Sequence, residues 1–200
     1  MVRIAVLASG RGSNLEALFD ELEGRADAAI VLVASDRPGA HALERARRRG
    51  VEAAILDPGD GDAMRALFED ARVDWIVLAG DLRRVPPTVV QRWRNRILNV
   101  HPALLPAHGG KGMYGERVHR AVLEAGETTS GASVHLVDEE YDRGPVVARE
   151  EVPVEPDDTP GTLAARVLEV EHRLLPAVVV AAVEGRIRIT EGRAWIEETT

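Results

Sequence analysis

Short apolar runs alternate with segments of helical periodicity along the first half of this chain, and that order admits few folds. Residues 2–8, Ala29–Ser35, Ala53–Leu56 and Trp75–Ala79 read as strands, the first with the continuous apolar character of a strand buried on both faces of a parallel sheet and the third a short one. Between them, Leu15, Leu18, Phe19 and Leu22 recur at helical spacing, Ala42–Arg49 is helical with Gly50 as its stop, and a further helix spans about Asp62–Asp70. Parallel neighbours need crossovers. The alternation therefore predicts an α/β fold: a Rossmann-like, doubly wound, mostly parallel sheet with helices on both faces.

The second half continues with less regularity. Pro86 or Pro87 starts a short helix carrying Val89, Val90 and Trp93, and Ile97, Leu98 and Val100 end the next strand. His119–Ala125 is helical before Gly126, Gly131–Val137 and Val146–Val154 are strands, and Thr159–Val183 is a long helix with Pro176 as a candidate kink. Ile187–Thr190 and Ala194–Ile196 resemble a terminal hairpin. No repeat or linker interrupts the pattern, and 200 residues suit one domain.

Composition narrows the class of partner. A net charge of −8 argues against a general nucleic-acid binder, and the run Arg45, Arg47, Arg48 and Arg49 reads as the solvated end of a helix. Without cysteine there are no disulfides and no thiolate chemistry. No signal-like segment opens the chain, and the apolar run Ala177–Val183 is too short to span a bilayer, so the expected location is the cytoplasm with no membrane partner.

Two stretches carry chemistry. In Ser9-Gly10-Arg11-Gly12-Ser13-Asn14, a strand passes through a glycine turn into a helix. Ser13 or Asn14 can cap that helix, and its first N–H groups can meet a phosphate, although the same turn can be purely structural. It is not a P-loop, because no Gly-Lys-Ser/Thr follows, and Leu15 stands where a dinucleotide fingerprint needs its third glycine. In Arg96–Pro106, Asn99 and His101 alternate with apolar residues and so project together at a strand end, where Pro102 stops the pairing. Ligands of open α/β sheets bind at such ends. Ala107–Gly115 follows with four glycines in nine residues and reads as a loop beside that site. Asp142, shortly before Gly144, reads on its own as a turn cap.

These motifs resemble a known family. Ser9–Leu15, Val77–Gly80, Leu98-Asn99-Val100-His101-Pro102-Ala103-Leu104-Leu105-Pro106, Gly131–His135 and Asp142-Arg143-Gly144-Pro145-Val146 occur in the order seen in phosphoribosylglycinamide formyltransferases, and Glu171-His172 adds a further match. The resemblance implies formyl transfer from 10-formyltetrahydrofolate, as co-substrate, to the glycine amine of glycinamide ribonucleotide in purine synthesis, without a metal. It implies Asn99, His101 and Asp142 as the catalytic trio. Arg11, Gly12, Ser13, Asn14 and Glu171 would hold the ribonucleotide, and Leu82, Arg83, Val85, Asp138, Glu139, Glu140 and Tyr141 would wall the pterin. The halves of the domain, about 1–100 and 100–200, would bind ribonucleotide phosphate and carry catalysis with folate, in a monomer or homodimer.

Asp81 departs from the family pattern, which has an apolar or aromatic residue there, and the His108–Gly115 loop is longer than the common short form. Methionyl-tRNA formyltransferases and formyltetrahydrofolate deformylases share the central motif but resemble longer chains. The remaining alternatives are an N-formyltransferase for another amine, such as an amino-sugar nucleotide, or a non-catalytic nucleotide-binding module. His135 reads as a packing or hydrogen-bonding residue on an alternating strand, and His41, His108, His119 and His172 receive no catalytic role. Trp75, Trp93 and Trp195 read as packing residues.

Overall fold

The computed structural model describes residues 1–80 and 83–198, so Asp81 and the expected pterin-wall residue Leu82 lie outside the described residues. Two compact units divide the chain, one of residues 1–99 with 137–139 and one of residues 100–136 with 140 onward. In the first unit β1 (Val2–Leu7), β2 (Ala28–Ser35), β3 (Glu52–Ile55) and β4 (Trp75–Leu78) alternate with α1 (Ser13–Leu22), α2 (His41–Arg48) and α3 (Gly61–Asp70). α4 (Pro87–Arg92) then leads to β5 (Ile97–His101). The pairs β1 with β2, β1 with β4, β2 with β3 and β4 with β5 are all parallel.

In the second unit β6 (Thr129–Leu136) and β7 (Val146–Pro153) pair antiparallel. The seven-stranded sheet has the order β3-β2-β1-β4-β5-β6-β7, which is the mostly parallel α/β sheet expected, with an antiparallel edge. Its winding runs outward from β1 to β3 and then returns to β4, and right-handed crossovers in the two directions place helices on opposite faces. The order reverses beside β1. There the Ser9 N–H donates to the Gly80 carbonyl at 3.4 Å, so the turns after β1 and β4 meet at the position where such sheets bind ligands.

The first unit packs around Leu7, Leu32, Phe68, Ile76, Trp93 and Ile97, all buried, and each such side chain contributes about 1.5–3 kcal/mol on leaving water. Phe68 and Trp93 meet edge to face at 5.6 Å, and the Trp93 indole N–H donates to the Val73 carbonyl at 2.9 Å. α5 (Glu116–Glu124) and α6 (Pro160–Val183) supply Val122, Leu163, Val167 and Val170 to the core of the second unit, against Ala132 and Val152. A capping box at Thr159 and Thr162 starts α6. The helix then continues through buried Pro176 to Val183 without a break. β8 (Ile187–Thr190) and β9 (Arg193–Ile196) form the expected hairpin.

Three expectations change. α5 begins at Glu116 rather than His119, because Gly115 occupies the cap position and lets the chain enter the helix earlier. Trp195 is 45% exposed on β9 and is not a packing residue. The arginine run is more than a solvated helix end: Arg45 Nη1 lies 2.7 Å from Glu16 Oε2, and Arg49 Nη2 lies 2.7 Å from Asp20 Oδ1, so α2 grips α1 through ion pairs. These guanidinium groups hold the Glu16 carboxyl below its ordinary range.

Candidate active site

β5 ends at His101 because Pro102 has no N–H with which to continue a ladder. His101 is 3% exposed, and its Nε2 lies 2.9 Å from the His108 carbonyl. A carbonyl only accepts, so Nε2 carries the hydrogen and Nδ1 is the nitrogen turned to Asp142 Oδ2, at 3.7 Å. Asn99, half-buried, stands two positions earlier on β5 and, by the alternation of a strand, on the same side of it.

Asp142 occupies left-handed backbone at φ 55°, a conformation that aspartate and asparagine enter more readily than most residues. Its Oδ2 accepts the Gly110 N–H at 2.8 Å, and its Oδ1 lies 3.6 Å from His135 Nε2. The Nδ1 of His135 faces the Leu136 carbonyl at 3.0 Å. One carboxylate is thus flanked by two buried imidazoles, each with its other nitrogen committed to a carbonyl. Burial pushes the His101 pKa below its ordinary value, against the opposing pull of the Asp142 charge. Burial also works against ionisation of Asp142, but its neighbours His135 and His101 and the Gly110 N–H together hold its carboxyl below the usual range.

The segment after Pro102 is fixed to β6 and to Asp142. Ser133 Oγ donates to the Ala103 carbonyl at 2.7 Å and accepts the Leu105 N–H at 3.0 Å. Gly109 is required by close approach: a Cβ there would stand 2.5 Å from Leu105 Cδ2 and 3.1 Å from Asp142 Cβ. The glycine-rich loop is therefore bound to the His101 and Asp142 pair through the His108 carbonyl and the Gly110 N–H.

In the first unit, the turn after β1 differs from its expected form. Gly12, at φ 72°, takes the cap position of α1, and neither Ser13 nor Asn14 is the cap; no side-chain cap bond is made there. The first N–H groups of α1 are left for an anion by backbone geometry alone. Arg11 is exposed with its carbonyl accepting Arg45 Nε at 3.0 Å, Ser13 is half-buried and Asn14 is buried. Ser9 Oγ is buried with no hydrogen-bond partner among the described residues, and a buried hydroxyl left so calls for an explanation such as a bound water or ion. Gly12→Val is expected to lower the melting temperature by about 5 °C or more: left-handed backbone is costly for a β-branched residue, and a Cβ would lie 3.0 Å from Ala42 Cα. Thermal denaturation checks this, and an unchanged midpoint would contradict the packing of this turn on α2.

The other expected contacts are distributed between the units. Arg83 is exposed, with Nε 3.8 Å from Asp36 Oδ2, and Val85 is 5% exposed within the first core, so a ligand there would meet its backbone. Asp138 is half-buried, while Glu139 receives Arg84 on its carbonyl and lies 3.3 Å from Gln91 Nε2 through its carboxylate. Glu140 and Tyr141 are exposed. Glu171 is 9% exposed on α6, not a solvated helix charge. His135, read from the sequence as a packing or hydrogen-bonding residue, lies against Asp142, a placement that depends on the connection between β6 and β7. Among the described residues no group of three His, Cys, Asp or Glu side chains is arranged to hold a metal ion.

The sheet order and this strand-end pair place the chain in a defined class. Residues 2–179 match the formyl transferase family, and the chain belongs to it. It is 41% identical over 198 residues to phosphoribosylglycinamide formyltransferase, chloroplastic, of Arabidopsis thaliana, covering 94% of this chain and 68% of that protein. It is also 38% identical over 198 residues to the trifunctional purine biosynthetic protein adenosine-3 of Gallus gallus, covering 95% of this chain but 19% of that longer one. The crystal structure of glycinamide ribonucleotide transformylase 1 from Symbiobacterium toebii superposes with a TM-score of 0.91 at 39% identity, covering 99% of this chain and 95% of that one.

Proposed function

We propose that this chain transfers the formyl group of 10-formyltetrahydrofolate to the glycine amine of glycinamide ribonucleotide, a step of purine biosynthesis. The observation that carries this reading is the buried His101 and Asp142 pair at the end of β5, with Asn99 on the same strand. Attack of the neutral amine on the formyl carbon forms the new C–N bond and places negative charge on the formyl oxygen. The Asn99 amide is the donor for that oxygen. The attacking nitrogen becomes cationic and must lose a proton, and the departing folate nitrogen must gain one as its bond to the formyl carbon breaks.

His101 suits that transfer. Burial keeps its imidazole neutral and ready to accept, and the gained proton goes to Nδ1, where the Asp142 carboxylate stabilises it. His135 Nε2 stands beside the other oxygen of the same carboxylate. The α1 N-terminus with Arg11, Gly12, Ser13 and Asn14 would take the ribonucleotide phosphate, with Glu171 as a further ribonucleotide contact. Arg83, Val85, Asp138, Glu139, Glu140 and Tyr141 would wall the pterin. No helix of the described residues is long and apolar enough to cross a membrane, and a cytoplasmic location with small-molecule partners is part of this reading.

A formyl-transfer assay with both substrates, run on the wild type and on Asn99→Ala, His101→Ala and Asp142→Ala, tests the proposal. Wild-type turnover with each variant reduced by about 10²-fold or more is expected. Turnover of an amino-sugar nucleotide in place of the ribonucleotide would redirect the substrate assignment, and ribonucleotide binding without turnover would favour a binding module.

A further inference from the structure

The first unit carries a second concavity, about 570 Å3 in volume, which is the size of a small-ligand site. It lies where the end of α3, the approach to β4 and the turn from α4 into β5 come together, and its walls include Arg72, Arg92, Arg94 and Arg96 with Glu69 and Asp74. Asp74 and Arg96 immediately precede β4 and β5, which run parallel to β1. The concavity is therefore at the amino-terminal ends of the strands, whereas the turn of Ser9–Asn14 is at the carboxyl end of β1.

Both carboxylates of the concavity are already engaged. Glu69 Oε1 lies 3.0 Å from Arg92 Nε, and Asp74 Oδ2 accepts the Arg3 backbone N–H at 2.8 Å. Arg72, Arg94 and Arg96 are exposed, and none of their guanidinium groups has a hydrogen bond or ion pair among the described residues. Three unpaired cations around one hollow repel each other, in a chain whose net charge is −8. A multiply charged anion relieves that repulsion, and the planar fork of guanidinium matches phosphate oxygens two at a time. The apolar lining residues Val73 and Trp93 are 7% and 3% exposed, so they offer a floor and no stacking surface for a base.

We propose that this hollow binds a polyphosphate chain, either inorganic or the tail of a nucleotide, at a site separate from the phosphate turn of α1. Isothermal titration calorimetry of the full chain in magnesium-free buffer, with inorganic tripolyphosphate, ATP and AMP as probes, tests it. Tripolyphosphate and ATP are expected to bind saturably and each about tenfold or more tighter than AMP. Comparable binding of both marks the chain as the recognised group, and tighter ATP binding marks the nucleotide as the source. The triple variant Arg72→Ala, Arg94→Ala, Arg96→Ala is expected to lose about tenfold or more in affinity for both, while Arg120→Ala, which removes a cation of α5 away from the hollow, leaves them unchanged. If the triple variant does not melt cooperatively, the three single substitutions replace it, each with a measurable loss expected. Absence of saturable binding, ATP binding without tripolyphosphate binding, AMP binding as tight as ATP, or an equal loss in Arg120→Ala would overturn the proposal.

Discussion

Asp142→Asn is expected to lower kcat by about 10²–10⁴-fold while leaving the fold intact. Asparagine enters left-handed backbone as readily as aspartate, which matters at φ 55°, and its carbonyl oxygen can still accept the Gly110 N–H. What it removes is the charge facing His101 Nδ1. That charge raises the His101 pKa against the larger downward effect of burial, so its loss lowers the pKa further. An imidazole acting as base is lost as pH falls through its pKa. The acid limb of kcat should accordingly move to lower pH in the variant, at a greatly reduced plateau. A pH profile of kcat at saturating substrates checks both features, and an unchanged plateau or a limb displaced to higher pH would exclude Asp142 as the charge partner of His101.

Gly131→Ala should be among the most damaging small substitutions in the chain, with a loss on the order of 4 kcal/mol in folding stability. The residue sits in β6 at φ 156°, and a Cβ built there would lie 2.1 Å from the Glu150 carbonyl oxygen and 2.9 Å from Leu104 Cδ2. Glu150 belongs to β7, whose pairing with β6 runs from Thr129 to His135, so the obstructing oxygen is ladder backbone and cannot swing aside. Ser133 and His135 on the same strand hold the Ala103–Leu105 turn and face Asp142, so activity should fall with the fold. Urea denaturation measures the loss; a midpoint shift worth less than about 1 kcal/mol would mean that the two strands can separate locally at Gly131.

The strands and helices of the first unit were legible because apolar runs and helical periodicity alternate there, short as β3 and β4 are, and Gly or Pro punctuates them, as at Gly50 and Pro86. Their ends were less so. Gly12, not Ser13 or Asn14, takes the cap of α1, because the packing of that turn against Ala42 demands a left-handed residue without a Cβ, and nothing local in the sequence announces Ala42. The pairing of Arg45 and Arg49 with Glu16 and Asp20 was hidden for the same reason, since it joins residues about 30 apart. At the candidate site, alternation along β5 was enough to bring Asn99 and His101 to one side, and the motif resemblance added Asp142. The place of His135 followed only from geometry. Pattern showed an alternating histidine on β6, but which group it met was decided by the left-handed turn at Asp142 that folds the connection back. Trp195 shows the converse error, an aromatic on a clear strand that the hairpin leaves in solvent.

The His108 carbonyl at 2.9 Å from His101 Nε2 has a consequence for ligand discrimination. A hydrogen bond inside the protein is already in place there, so a ligand acceptor that takes this position gains only the difference between two similar bonds. A ligand that leaves Nε2 alone keeps that bond intact. The resting arrangement therefore disfavours molecules that would displace the His108 carbonyl from Nε2, because each must compete with the chain's own backbone.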